Sequence, residues 1–226
     1  MEALRSAVEV HDVFVAEGVM GAVLEQDLQS SGVSPWVVTD DVIQVLSDTV
    51  TPQGVVAVVA DPSVGVEALA ASDLTLVLAD VRDPGNAGTL VRSAAAARAG
   101  AVVFAHGSVD PLHPKVVRSA AGALFGVPLV RAAPLEKVAT ALREASAAII
   151  GAAADADDDL FDVDLSGRCA IVLGNEAWGM SPDVEALVDR MVRIPMPGPV
   201  ESLNVSTAGS ILLFEVLRQR RAVGDQ

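Results

Sequence analysis

The last two thirds of the chain alternate short apolar segments with helical patterns. From Leu74 onward, runs of the length of a buried strand are separated by stretches with helical periodicity. The predicted strands span 74–79, 101–105, 127–130, 147–151, 169–173 and 191–194, and the predicted helices span 87–98, 114–123, 134–145, 182–188 and 203–221. Strands joined through helices pair in parallel, and a parallel sheet is buried on both faces. The pattern therefore predicts an α/β fold, with a mostly parallel sheet and helices on both of its faces.

The first part of the chain is organised differently. Helical patterns over 2–8, 21–30 and 41–47 alternate with strand patterns over 10–15, 36–39 and 55–59. Asp61-Pro-Ser-Val-Gly65 then indicates the opening of a linker, because proline and glycine interrupt both periodicities. We therefore predict two domains, a small α+β domain over residues 1–65 and a larger domain over residues 72–226.

Composition bounds the class of protein. Of the 226 residues, 51% are hydrophobic, which is enough for a sizeable core, and no apolar run has the length of a membrane span. The first residues do not form a signal peptide, so we expect a cytoplasmic protein. Cys169 is the only cysteine, which excludes an internal disulfide. Its position in a predicted strand indicates a buried, unreactive thiol.

Charge is distributed unevenly along the chain. Thirty acidic and fifteen basic residues give a formal net charge of −15, and residues 1–81 contain thirteen acids and a single base, Arg5. RNA binding depends on Lys and Arg that neutralise phosphates. Any RNA-binding surface is therefore expected on the C-terminal part, with weak affinity. The acidic run Asp155–Asp159 favours a surface loop over a metal site.

A loop rich in proline joins the last predicted strand to the last predicted helix. Pro195, Pro197 and Pro199 restrict its backbone and remove N–H donors, while Gly198 permits conformations that other residues cannot reach. These residues are typical of a rigid loop whose own backbone groups meet a ligand. The alternative is a stiff connection in which Ser202 or Asn204 caps the helix.

Together with two further segments, this loop resembles a known family. The segments are Leu78-Ala-Asp-Val-Arg-Asp-Pro-Gly-Asn-Ala-Gly-Thr-Leu-Val-Arg-Ser-Ala94 and Ile171-Val-Leu-Gly-Asn-Glu-Ala-Trp-Gly-Met-Ser181. In order and spacing, the three resemble the motifs of the SpoU/TrmH family of RNA 2'-O-ribose methyltransferases, of the knotted SPOUT class. Residues 114–128 resemble the middle segment of that family, and the resemblance extends over residues 72–221.

The resemblance implies a fold, a cofactor and partners. A C-terminal trefoil knot would be threaded by the chain from Leu173 to Asn204, and S-adenosylmethionine (SAM) would bind in a bent shape among its loops. The expected partners are structured RNA, with ribosomal RNA favoured over transfer RNA, and a second copy in a homodimer; no metal or membrane is expected. The first domain would be ribosomal-protein-like, with its N-terminal strand missing.

The resemblance also assigns candidate site residues. The cofactor-binding candidates are Leu173, Gly174, Asn175, Gly179, Ile194, Met196, Ser202, Leu203, Asn204 and Ala208. The catalytic candidates are Asn86, Arg92, Glu176, Ser202 and Asn204.

Several of these residues have a plainer alternative. Asn86 could simply cap the helix that follows it, and Ser202 alone would suffice to cap the last helix. Arg92 lies among apolar residues, so it must find either an ion pair, with Asp80, Asp83 or Glu176, or a site for an RNA phosphate. Trp178 could be a lid over the cofactor, a platform for base stacking or a dimer contact.

Two other functions compete with methyl transfer. A catalytically inactive, knotted protein that binds RNA or a partner would fit the acidic first domain, but not the retained Asn86, Arg92, Glu176 and Asn204. A nucleotide-dependent metabolic enzyme is disfavoured, because the chain lacks both G-x-G-x-x-G and G-x-x-x-x-G-K-[ST].

Overall fold

The computed structural model describes residues 1–224. The chain divides into two compact units, Met1–Pro62 and Ser63–Gln226. None of the helices among residues 1–224 is long and apolar enough to cross a membrane.

The first unit is a small α+β structure. Its elements are α1 (Glu2–Arg5), β1 (Val10–Ala16), α2 (Ala22–Ser31), β2 (Trp36–Val38), α3 (Asp40–Leu46) and β3 (Val55–Val59). Strand β1 lies in the middle of the sheet, parallel to β2 and antiparallel to β3. Leu24 and Leu28 lie one helical turn apart on α2 and pack against Val13 and Val15 of β1.

The second unit contains an eight-stranded sheet. Its elements are β4 (Ser63–Val64), β5 (Leu74–Leu78), α4 (Pro84–Ala96), β6 (Ala101–Ala105), α5 (Pro114–Ser119), β7 (Leu129–Ala133), α6 (Leu135–Glu144), β8 (Ala148–Ala152), β9 (Asp158–Asp159), β10 (Cys169–Leu173), α7 (Pro182–Glu185), β11 (Arg190–Arg193) and α8 (Val205–Gly224). The strand order is β4-β7-β6-β5-β10-β8-β11-β9, and every neighbouring pair is parallel.

Both faces of this sheet are covered. Along β5, Leu74, Leu76 and Leu78 face a core that includes residues of α4, α5 and α8. Val77 points the opposite way, into a second core with α6, α7 and the 3-10 helix Val66–Ala71. Successive residues of a strand point to opposite faces, so a strand buried on both faces must be apolar throughout, as β5 almost is. The predicted mostly parallel sheet with helices on both faces is confirmed.

Several predicted elements have other bounds in the structure; the helix predicted over 114–123 ends at Ser119, and the strand predicted over 127–130 runs from Leu129 to Ala133. The linker predicted to open at Asp61 contains the edge strand β4, which the 3-10 helix Val66–Ala71 follows. Within the predicted acidic surface loop, Asp158–Asp159 pairs with β11 as a second edge strand. A strand of two residues is too short to show a periodicity, so the sequence carries no signal for either. Helix α4 begins at Pro84 rather than at residue 87, because Asp83 caps it and proline is favoured at the first helical position.

Two further predictions concern the second unit. Cys169 is 2% exposed, as predicted. Burial raises the pKa of its thiol, and the nearby Arg220 guanidinium opposes this rise only in part. The trefoil knot stays a prediction, because the order of strands in a sheet does not define how a loop is threaded.

Candidate active site

The candidate site forms where the two central strands of the large sheet end. Strands β5 and β10 are parallel neighbours, in register so that Leu78 lies opposite Leu173. The loops that follow them therefore leave the same edge of the sheet side by side. In parallel α/β sheets, the carboxyl ends of the strands are where ligands bind.

Two helices begin at the same place. Helices α4 and α8 pack together, and the Oγ atoms of Ser93 and Ser210 lie 2.7 Å apart. Counting back about two turns from this contact leads to Asn86 on α4 and to Asn204 at the start of α8. The first turns of both helices thus meet at the edge of the sheet.

A chain of amide and carboxylate groups connects the three loops. Asn204 Nδ2 donates to Asn86 Oδ1 at 3.0 Å, and Asn86 Nδ2 donates to Glu176 Oε1 at 3.3 Å. These residues come from α8, α4 and the loop after β10. The structure therefore brings together three of the five catalytic candidates through direct hydrogen bonds.

The helix caps explain why these amides are available. Asp83 is the N-cap of α4, since its Oδ1 accepts from the Asn86 N–H at 2.8 Å. The alternative that Asn86 itself caps the helix is wrong, because proline at position 84 starts the helix three residues earlier than predicted. At α8, Asn204 Oδ1 accepts from the Ser206 N–H at 2.8 Å and so provides the cap. Ser202 is not needed for capping.

Glu176 holds the loops in place. Its carboxylate accepts hydrogen bonds from the N–H groups of Asp83 at 3.0 Å and Arg82 at 3.3 Å, besides the one from Asn86. Partial burial by itself raises the pKa of Glu176, but the backbone and side-chain hydrogen bonds outweigh it, so the pKa is lowered. Glu176 is therefore an ionised acceptor near the N-terminus of α4, where negative charge is favoured.

This lowered pKa predicts how Glu176 affects stability. The unfolded chain takes up the proton at a higher pH than the folded one, so the contribution of Glu176 is present above its ordinary pKa and is lost as the pH falls through the folded-state value. We expect the difference in melting temperature between the wild type and Glu176→Gln to shrink as the pH falls from about 7 to about 3. Glu144→Gln, at an exposed position of α6, is the control; the same trend there would contradict the assignment.

The loop after β10 is a closed turn. The N–H of Asn175 donates to the Gly179 carbonyl at 2.7 Å, and the N–H of Gly179 donates back at 3.0 Å. Asn175 Nδ2 donates to the backbone oxygen and to Oδ2 of Asp80, both at 3.1 Å, which attaches this turn to the loop after β5. A Cβ on Gly174 would lie 2.5 Å from the backbone of Gly179. Only glycine fits at this position.

A cavity of about 290 Å³ lies beside this turn. Its volume is at the lower end of the about 300–1,000 Å³ that is usual for ligand pockets. The lining residues are Ala152, Ala153, Ala154, Leu173, Gly174, Asn175, Glu176, Gly179, Val192, Ile194, Met196, Ser202, Leu203, Val205 and Ala208. Every cofactor-binding candidate except Asn204 is among them.

Sequence reasoning missed part of this lining. Residues 152–154 are the last residue of β8 and the two residues after it, and β8 lies between β10 and β11 in the sheet. Alanine carries no chemical signal, and only the position at the carboxyl end of a predicted strand could have pointed to them.

The proline-rich loop offers unpaired backbone groups. Residues 195–203 form no hydrogen bond with any other group of residues 1–224. Since backbone polar groups are obligatory hydrogen-bonding groups, the loop leaves its carbonyls and remaining N–H groups to solvent or to a ligand in the cavity. The expectation for Gly198 is wrong, because its φ lies outside the left-handed region and a Cβ there would meet nothing within 4 Å.

Arg92 is an exposed cation without a protein partner. Within residues 1–224 its side chain makes no hydrogen bond or ion pair. The three carboxylates that could have paired with it, of Asp80, Asp83 and Glu176, accept hydrogen bonds from other groups. The alternative of a structural ion pair is therefore wrong. Helix side chains in general lean towards the N-terminus of their helix, and α4 begins at Pro84, next to Asn86.

Ser202 and Trp178 lie at the rim of the site. Ser202 is exposed and lines the cavity. Trp178 is 87% exposed and does not line the cavity, although Glu176 and Gly179 on either side of it do.

Both units of the chain are similar to known proteins. The profile of the SpoU rRNA Methylase family matches residues 73–214, and that of RNA 2'-O ribose methyltransferase substrate binding matches residues 1–64. The 23S rRNA (guanosine-2'-O-)-methyltransferase RlmB of Xanthomonas axonopodis pv. citri is 41% identical over 155 residues, which are 69% of this chain and 62% of that protein. RlmB of Xylella fastidiosa is 35% identical over 208 residues, 88% of this chain and 84% of its own.

A solved structure extends the likeness to nearly the whole chain. The SpoU methyltransferase AviRb from Streptomyces viridochromogenes, in complex with the cofactor AdoMet, matches with a TM-score of 0.86 and 28% sequence identity. The match covers 98% of this chain and 87% of AviRb. The family profile spans more than half of the chain, and the identity to a relative exceeds 30% over most of both sequences. The chain belongs to the SpoU rRNA methylase family.

Proposed function

We propose that this protein transfers a methyl group from SAM to a ribose 2'-hydroxyl of structured RNA, with ribosomal RNA as the favoured substrate. The observation that carries this proposal is the hydrogen-bonded group Asn86–Glu176–Asn204 beside the cavity. Support comes from relatives named as 23S rRNA methyltransferases and from the AdoMet complex of AviRb.

The lining of the cavity suits SAM. Leu173, Ile194 and Leu203 supply apolar surface for an adenine ring, and the unpaired backbone of residues 195–203 supplies hydrogen-bonding groups for polar edges. Glu176 places an ionised carboxylate at the wall, which favours a cation such as a sulfonium. SAM, when bound, would supply an activated methyl group without a metal. The bond from the methyl carbon to the sulfonium sulfur breaks as the bond to the 2'-oxygen forms, which leaves a neutral thioether, and the hydroxyl proton passes to water.

The polar residues would align the ribose. Glu176 accepts from Asn86 Nδ2 and so fixes which way the Asn86 amide faces, with Oδ1 towards Asn204. Asn86 Oδ1 has a second lone pair, which can accept the hydrogen bond of a 2'-hydroxyl and orient its oxygen for attack. Glu176 acts as a positioning residue here, because its lowered pKa makes it a poor proton acceptor.

Arg92 is assigned to the RNA backbone. An exposed guanidinium that lacks a protein partner and lies on the same helix as Asn86 can bind the phosphate next to the reacting ribose in bidentate fashion. A guanidinium acts as a fixed positive charge and as a hydrogen-bond donor. Its contribution is therefore electrostatic, holding the nucleotide and stabilising the alkoxide character that develops on the 2'-oxygen.

Two substitutions at Asn204 separate its structural role from its role in the site. Asn204→Asp keeps a good N-cap, so we expect an unchanged melting temperature, whereas Asn204→Ala should cost about 1 kcal/mol of stability. Both remove the donor to Asn86 Oδ1, and both should lower methyl transfer about tenfold. Calorimetry and a methylation assay measure the two effects. Full activity in the stable Asn204→Asp variant would contradict the proposed alignment.

The two units are expected to have different roles. We propose that residues 1–65 form a substrate-binding-like domain, in line with the profile that matches residues 1–64, and that residues 72–226 carry methyl transfer and the cationic contacts to RNA. The acidic character of the first unit, with one base in residues 1–81, predicts weak affinity for RNA at physiological salt.

The protein is also proposed to act as a homodimer through α8. Leu212 and Val216 of this helix are buried within the single chain, whereas Phe214 is 47% exposed. Light scattering at micromolar concentration should therefore give twice the 23.2 kDa mass of one chain. Phe214→Glu should shift the protein towards monomer, and Phe161→Glu, at a phenylalanine that is 53% exposed on a 3-10 helix, is the control. A monomeric wild type would contradict the dimer.

The proposed reaction is tested by mapping 2'-O-methyl groups in total RNA, with and without the protein and SAM. We expect a new mark in ribosomal RNA. A mark in transfer RNA alone would overturn the ribosomal preference. The absence of any new mark would favour the alternative, a catalytically inactive homologue that binds RNA or a partner.

A further inference from the structure

Trp178 is an aromatic side chain presented to solvent at the edge of the candidate site. It is 87% exposed, whereas the other tryptophan, Trp36, is 60% exposed. A large aromatic ring left in water forgoes the favourable free energy of burial. Its indole N–H has no acceptor among residues 1–224. Neither packing nor a hydrogen bond within the described chain accounts for a tryptophan here.

The backbone that carries Trp178 is held firmly. Its N–H donates to Asn175 Oδ1 at 3.3 Å, and Ala177 donates to the same oxygen at 2.9 Å. Gly179, the next residue, is paired with Asn175 in both directions. The Asn175 amide is in turn bound to Asp80. A ring on such a turn loses little further backbone entropy when a ligand stacks on it.

The residues around Trp178 favour RNA as its ligand over the two alternatives, a lid over the cofactor and a dimer contact. Trp178 does not line the cavity, although Glu176 and Gly179 of the same turn do, which disfavours a lid over the cofactor. Its neighbours Glu176, Ala177 and Gly179 are charged or small, whereas the core of a protein interface requires a continuous apolar patch.

One cation of the candidate site is left unpaired within residues 1–224. Arg82 is paired with Asp80 at 2.7 Å, and Lys115 lies 3.8 Å from Asp83, so carboxylates offset both charges. Arg92 is exposed and has no such partner, so it can meet an RNA phosphate.

We propose that Trp178 is a stacking platform for an unpaired base of the substrate RNA beside the methylated ribose. This inference rests on the proposed function. Stacking requires only a π face and is the usual way in which proteins hold splayed-out bases of single-stranded RNA. Trp178 would thereby restrict methylation to nucleotides that can leave a helix, which makes it a specificity-determining residue.

Fluorescence tests the contact directly. The chain has two tryptophans, so Trp36→Phe leaves Trp178 as the only indole. We expect a 23S rRNA transcript to quench its emission, and a fully paired RNA duplex to have little effect. Equal quenching by the duplex, or no quenching by the transcript, would overturn the proposal. A full change with SAM alone would assign Trp178 to a lid, and a change with protein concentration alone would assign it to a contact between copies.

Kinetics test what the contact does. Trp178→Ala should raise the KM for RNA about 5- to 150-fold, the range that corresponds to the loss of one stacked base. We expect kcat and the affinity for SAM to stay unchanged. Trp178→Phe should recover most of the effect, but Trp178→Leu, which is apolar without a π face, should not. An unchanged KM in Trp178→Ala would overturn the stacking role.

The two proposals fail in different ways. If the wild type transfers no methyl group to any RNA, the proposed function is wrong, and the fluorescence experiment still decides whether Trp178 meets a base. If the wild type is active and Trp178→Ala has the same KM, only the stacking role is wrong.

Discussion

Replacing Arg92 by alanine should leave SAM binding unchanged and lower kcat/KM for methyl transfer about a hundredfold or more. Arg92 is exposed, lies outside the lining of the cavity and makes no ion pair within residues 1–224. Its removal should therefore disturb neither the fold nor the cofactor. The loss follows from removing a fixed positive group from a site where negative charge develops, which typically costs about 100- to 1,000-fold.

Two variants sharpen this experiment. Arg92→Lys keeps the charge but not the planar fork, so we expect only partial recovery if the contact to phosphate is bidentate. Arg221→Ala removes an exposed arginine from the last turn of α8 and is the matched control. The role assigned to Arg92 is wrong if Arg92→Ala methylates RNA at the rate of the wild type. A loss of SAM affinity in that variant would instead show that the effect is structural.

Gly174→Val should abolish SAM binding while the protein stays folded. A Cβ at this position would lie 2.5 Å from the carbonyl carbon and oxygen of Gly179 and 2.6 Å from the Met180 nitrogen. These are backbone atoms, so the turn itself must move, and its residues line the cavity. Overpacking costs up to about 3 kcal/mol, which corresponds to about a hundredfold in affinity. Calorimetric titration with SAM measures the loss.

Gly198→Ala is the matched control for Gly174→Val. Gly198 lies in the proline-rich loop, yet a Cβ there meets nothing within 4 Å and its φ suits any residue. We expect its affinity for SAM to equal that of the wild type. If Gly174→Val also binds SAM normally, the cavity beside this turn is not the cofactor site. Circular dichroism of both variants verifies that they are folded.

The architecture of the second unit could be predicted from the sequence because its strands are buried on both faces. Strands β6 and β10 were predicted with the bounds that the structure has, Ala101–Ala105 and Cys169–Leu173. Each is an unbroken apolar run, which burial on both faces requires. The short edge strands β4 and β9 lack such runs and were missed.

The sequence predicted only part of the candidate site. Gly174 and Ile194 were placed at a ligand through resemblance, and both line the cavity. The sequence did not decide the role of the Asn86 side chain. An asparagine near the start of a helix is compatible both with capping and with a role in the site. Asp83 provides the cap, which leaves the Asn86 amide free to bind Glu176 and Asn204.

The sequence by itself determined which segments are strands and helices, since periodicity records burial along a single element. It could not determine which loops meet. Asn86 and Asn204 are 118 residues apart and touch only because α4 packs against α8. The alanines at 152–154 reach the cavity only because β8 is inserted between β10 and β11, out of chain order. Neighbours across a sheet are set by how helices and strands pack, and that information belongs to no single segment of the chain.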